Sequence, residues 1–117
     1  MIYRKKNDIT VTPKQSCMGG EGTVMMETLL DAPDEMYGKG RAYVRHTLHP
    51  GVTIGEHTHH DEMESMVIVK GKALHRINGE IQHLEEGDII VAQDGDTHRI
   101  ACEGNEDLVL IAQVLYK

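Results

Sequence analysis

From residue 41 onward, apolar and polar residues alternate in short runs that stop at Gly, Pro, Asn or Asp. RAYVRHTLH (41–49) sets Ala42, Val44, His46 and Leu48 on one face and Tyr43, Arg45, Thr47 and His49 on the other. That two-residue period predicts a strand with one buried face. Pro50-Gly51 ends it in a turn. MESMVIVKG is a β-branched run stopped by Gly71, and KALHRI and EIQHL flank Asn78-Gly79, the signal for a hairpin closed by a type I′ turn. GDIIVA and THRIAC bracket the polar turn QDGD, and DLVLIAQVLY closes the chain. Before residue 40, TVMMETLL predicts one more strand between Gly- and Pro-punctuated loops at 13–22 and 31–40. No segment after residue 40 carries the period of a helix. At least eight short strands with tight turns imply an all-β fold, an antiparallel sandwich or barrel, whose edges must be closed or covered.

Composition narrows the picture. A chain of 117 residues fits one domain. With no Phe or Trp and only 4 Tyr the core is aliphatic, and 7 Met serve as adaptable filler. The net charge is −7 and no basic stripe is present, which argues against nucleic acid and anionic membrane as partners. The basic start MIYRKKND is not followed by an apolar segment, so no secretory signal is expected, and the apolar runs are too short for a membrane span. Cys17 and Cys102 are too few for a disulfide framework, so free thiols and a cytoplasmic location are expected.

The 8 histidines change the picture most. GEHTHHDEMES (55–65) gathers three of them with four carboxylates. Such a stretch is either a solvated charged loop or one wall of a metal site. On a strand, His57 and His59 project to the same side about 6.5–7 Å apart, so both rings can lean toward one ion. The loop after them lets the chain reverse, and Glu64 at the start of the next strand can reach the same point. His98, just after QDGD, is the candidate fourth ligand; Glu62 in place of Glu64, or His60 in place of His59, stays open. Three imidazoles and one carboxylate suit one divalent transition metal such as Fe, Mn, Ni, Cu or Zn. In an octahedral ion they leave two positions for water, O₂ or a chelating substrate.

The stretch Gly51, five residues, His57-x-His59, four residues, Glu64, six residues, Gly71 resembles the first cupin motif. Gly87-Asp88, a hydrophobic run, Gly95, two residues and His98 resemble the second. The similarity covers about residues 40–115, and the Asn-Gly hairpin falls in the gap between the motifs, as in compact microbial cupins. Gln93 stands where the second motif usually has Pro, and Cys102 where it often has Asn. The resemblance implies a small single-domain jelly-roll β-barrel, residues 1–117, with the N-terminal strand and loops in 1–39. It also implies a homodimer, often formed through N-terminal strands, and a metal held by His57, His59, Glu64 and His98.

Parity places further residues. His46 shares the inward face of its strand and is a candidate base. The resemblance turns the face bearing His75 and Gln82 inward, making His75 a second catalytic candidate and Gln82 a pocket residue. Met66 shares the face of Glu64, and Ile100 and Cys102 have the parity of His98. Oxalate-type decarboxylases of this family typically carry Arg three residues before the first histidine; here it is Ile54, which suits a less charged substrate. Three functions are compatible with these features. The first is a non-haem Fe(II)- or Mn(II)-type oxidoreductase, a dioxygenase or decarboxylase acting on a small oxygenated molecule. The second is a metal-dependent isomerase, epimerase or lyase, and the third a module that binds a small ligand or metal without catalysis.

Overall fold

The computed structural model describes residues 1–117. It has ten strands: β1 (Thr10–Gln15), β2 (Thr23–Thr28), β3 (Gly40–Leu48), β4 (Thr53–Thr58), β5 (Glu62–Lys70), β6 (Lys72–Ile77), β7 (Glu80–Leu84), β8 (Ile89–Ala92), β9 (Thr97–Glu103) and β10 (Leu108–Tyr116). They form a six-stranded sheet in the order β1-β2-β3-β10-β5-β8 and a four-stranded sheet in the order β4-β9-β6-β7. Every pairing is antiparallel. From β3 onward the chain crosses between the sheets at nearly every connection, the jelly-roll path that the family resemblance implies. The only helical pieces are 3₁₀ turns at Lys6–Asp8, Cys17–Gly19 and Asp34–Met36, and no helix is long and apolar enough to cross a membrane.

The turn chemistry acts as expected at the β6–β7 hairpin, where Asn78 (φ 49°) and Gly79 (φ 83°) both take the left-handed region that a type I′ turn requires. One expectation is corrected. Residues 13–15, read as part of a loop, belong to β1, whose register pairs Pro13 with Met25. Proline has no N–H to donate, and it is tolerated here because β1 is an edge strand.

The space between the sheets is filled by aliphatic side chains. Leu48, Ile68, Ile100, Leu108 and Leu110 are the largest apolar ones fully removed from water, each contributing roughly 1.5–3 kcal/mol by its burial. β10 supplies every second residue from Leu108 to Val114 to this core.

A bulge in β4 breaks the alternation where the site begins. Ile54 pairs with Ile100 and His57 with His98, so three steps on β4 oppose two on β9. The extra residue lets Ile54 and His57 both face inward, which strict alternation forbids. The neighbouring 3₁₀ turn lies directly on this bulge: a Cβ added at Gly55 would sit 2.1 Å from the carbonyl oxygen of Met18. Gly55→Ala is therefore expected to cost ~1–3 kcal/mol through overpacking, measured by denaturant unfolding. An unchanged unfolding midpoint would show that the turn does not bear on β4.

Candidate metal centre

Four side chains from both sheets converge between them. His57, near the end of β4, stands opposite His98 on β9. His59 lies just beyond β4 and is tied to the 93–96 turn: its N–H donates to the Asp96 carbonyl (3.1 Å), and its own carbonyl accepts from the Gly95 N–H (2.7 Å). Glu64 comes from β5 in the other sheet, flanked in register by Val114 and Ala92. The reversal between them passes through Asp61 (φ 57°), whose N–H donates to Asp94 Oδ1 at 2.7 Å.

The donor atoms have the spacing of a coordination shell. His98 Nε2 is 3.0 Å from His59 Nε2 and 3.2 Å from His57 Nε2. Glu64 Oε1 is 3.1 Å from His98 Nε2, 3.3 Å from His59 Nε2 and 4.0 Å from His57 Nε2. For bonds of about 2.1 Å to an octahedral ion, adjacent donors lie about 3.0 Å apart and opposite donors about 4.2 Å. The short separations match adjacent corners, and the His57–Glu64 separation is closer to an opposite pair. An octahedral ion held by these four donors would have two positions left for other ligands.

The rear contacts of two rings aim their Nε2 atoms at this point. His57 Nδ1 faces the Gly55 carbonyl at 2.8 Å, which the bulge turns toward it. His59 Nδ1 faces Glu62 Oε1 at 2.9 Å. Both partners only accept, so Nδ1 donates and Nε2 is the nitrogen left to bind a metal or, without one, to donate to Glu64. Glu62 thus buttresses a ligand rather than replacing Glu64. Its carboxylate is gripped by Arg41 through two bonds of 2.7 Å, and Arg41 first, with His59, holds its pKa at about 2 against desolvation. His60 is exposed. Burial pushes the His57 imidazole toward its neutral form, while the Glu64 contact raises His59. Burial alone would favour a protonated Glu64, but hydrogen bonds and charge from His59 and His98 outweigh it and hold the carboxyl far below the ordinary range. A carboxylate and imidazole nitrogens this close, out of water, call for protons or a cation among them. A divalent metal fits the donor set.

The donors open onto a cavity of about 380 Å³. His46, Ile54, Met66 and Ile100 are among the residues that line it. His46 is 9% exposed, burial disfavours its charged form, and its Nδ1 has no hydrogen-bond partner. Three placements are corrected. His75 and Gln82 stand behind His98, with His75 Nε2 at 2.9 Å from His98 Nδ1 and fully buried, so neither reaches the cavity. Cys102 joins the aliphatic core, its thiol 3.1 Å from the Glu106 carbonyl oxygen and its pKa raised by burial. Sequence reasoning missed Lys14, Cys17 and Met18, which line the cavity from the N-terminal segment. Their approach depends on the close contact of the 3₁₀ turn with Gly55, and the unusual glycine-rich stretch at 19–22 was the one available signal.

The cupin-domain family model matches residues 44–114. The chain is 32% identical over 115 residues to the oxalate-binding protein of Thermotoga maritima, covering 98% of this chain and 93% of that protein. It superposes with a TM-score of 0.94 and 30% identity on the crystal structure of a predicted oxalate decarboxylase from T. maritima, covering 99% and 100% of the two chains. The cupin domain of Schizosaccharomyces pombe Cnp3 shares the fold at a TM-score of 0.72 and 15% identity, over 92% of this chain and 70% of that one.

Metal analysis of the purified protein is expected to find a divalent transition ion in stoichiometric amount, and none in a His57→Ala/His98→Ala double variant. Equal metal content in both would remove the site.

Proposed function

The chain belongs to the cupin family, and we propose that it holds one divalent transition metal through His57, His59, Glu64 and His98 to act on a small oxygenated organic acid. The observation that carries this reading is the convergence of the four donor atoms at the wall of a cavity that His46 also lines. A divalent ion with three neutral imidazoles and one carboxylate leaves a net positive centre, and Lys14 at the cavity wall adds to it, so an anionic chelator is favoured. Fe(II) or Mn(II), when bound, would supply Lewis acidity and a one-electron couple for oxygen. On this reading the protein is an oxidoreductase of dioxygenase or decarboxylase type. His46, kept neutral by burial, takes a proton from the substrate or hydrogen-bonds its far end. Met26, Val44, Ile54, Met66 and Ile100 keep water from the bound molecule. Ile54 at the wall and a volume of about 380 Å³ give room for more than a two-carbon diacid.

A second reading is binding without turnover. It is supported by the Thermotoga relative, which is named for binding oxalate. Oxygen consumption by Fe-loaded protein, tested with oxalate, α-hydroxy acids, diols and diketones, separates the two. Uptake with one substrate class, reduced at least ~10²-fold in His46→Leu, supports the enzyme. A rise in melting temperature with an acid, with neither oxygen uptake nor CO₂ release, supports the binder. Neither response to any compound would overturn both.

We further place the protein as a homodimer in a reducing compartment, where the free thiols of Cys17 and Cys102 persist. The outer face of the six-stranded sheet supports the dimer. Ile111, Val67 and Ile89 form one row across it, and Val69, Ile89 and Val91 are 47%, 66% and 41% exposed, an apolar face of the kind that marks an interface. Light scattering is expected to give twice the chain mass, falling to the single mass in Ile89→Lys/Val91→Lys. A wild-type monomer at micromolar concentration would refute the dimer.

A further inference from the structure

Behind the cavity wall, the inward face of the four-stranded sheet carries polar groups that the metal set does not use. Gln82 on β7 pairs in register with His75 on β6. His75 lies fully buried between Gln82 and His98 on β9. Its Nδ1 is 3.0 Å from Gln82 Oε1, and its Nε2 is 2.9 Å from His98 Nδ1.

A neutral imidazole carries one N–H and one lone pair, so a row of such rings has a direction. The rear partners of His57 and His59 are a carbonyl and a carboxylate, which can only accept. The rear partner of His98 is another imidazole, which can accept or donate. That ambiguity is removed one residue further out. With Gln82 Oε1 accepting, His75 carries its proton on Nδ1 and turns a lone pair on Nε2 toward His98. His98 then carries its proton on Nδ1, and its Nε2 is the nitrogen turned to the centre, 3.0 Å from His59 Nε2 and 3.2 Å from His57 Nε2. With the Gln82 amide reversed, its NH₂ would donate, every proton in the row would move across, and His98 Nε2–H would point into the centre and could not bind a metal.

We propose that Gln82 and His75 are positioning residues that hold the Nδ1–H and ring orientation of His98, so that its Nε2, like those of His57 and His59, is the nitrogen turned to the metal. This inference rests on the metal-binding reading above. Only this direction gives the three rings the same polarity, and full burial leaves His75 no other partner to satisfy. The row spans β7, β6 and β9 and ends at a half-buried glutamine on the sheet edge. The state of the centre is thus tied to a side chain outside the cavity.

The test has two arms. Ring ¹⁵N NMR of the metal-free and Zn(II)-loaded protein is expected to show a proton on Nδ1 of both His75 and His98. A proton on Nε2 of His75, or an Nδ1 of His98 without its proton, in the metal-free protein would overturn the proposal. In competition titrations with Zn(II), His75→Leu is expected to bind about 10–100-fold more weakly. Gln82→Glu, which can only accept, should stay near wild type, whereas Gln82→Lys, which can only donate, should weaken binding as His75→Leu does. A merely structural role would move the two Gln82 variants alike, and that result would also overturn the proposal. Absence of Zn(II) binding in the wild type would remove the metal reading, while the tautomers in the metal-free protein would still decide the direction of the row.

Discussion

Imidazole nitrogens and a carboxylate oxygen held 3.0–3.3 Å apart must share protons or take up a cation between them. No side chain on a single short strand can impose such crowding, because strand neighbours diverge. The jelly roll imposes it from two directions. β4 and β9 hold His57 and His98 opposite each other in one sheet, and β5 brings Glu64 across from the other. An ion between them would therefore clasp the two sheets together, and its binding energy would add to the stability of the fold.

The surroundings are built to keep the donors from relaxing. Each ligand ring is gripped at its rear nitrogen, by a bulge carbonyl, by a carboxylate locked to Arg41, or by a buried histidine. The aliphatic core packs tightly beneath them, with Ile100 two residues from His98 and Met66 two from Glu64 on the same faces. A side chain at such a site cannot turn away without opening a void or stranding a buried polar atom. The rigidity needed for metal chemistry thus comes from ordinary packing.

Much of this was readable in the chain. Alternation located the strands after residue 40, and Asn78-Gly79 located a turn that the structure forms with both residues at positive φ. Spacing nominated the cluster formed by His57, His59, Glu64 and His98. What escaped was whatever depends on who lies beside whom. Pro13 argued against a strand, yet β1 is an edge where proline costs no ladder bond. Parity gave Cys102 an inward face, as a pocket residue or an inert buried thiol, and it lies in the aliphatic core. His75 and Gln82 do face inward, but the ring of His98 stands between them and the cavity. The bulge at Gly55, which sets the inward turn of His57, leaves no mark that alternation can read.

The cavity has two authors within one chain. Its metal donors lie between residues 57 and 98, inside the stretch the family shares, whereas Lys14, Cys17 and Met18 come from a segment that precedes it. Of these, Met18 also lies against Gly55, whose carbonyl faces His57 Nδ1. The N-terminal segment can therefore reshape what enters the cavity without replacing a metal donor, as long as its turn still fits against the bulge at Gly55. Paralogues descended from one such barrel would diverge first in diet and last in reaction.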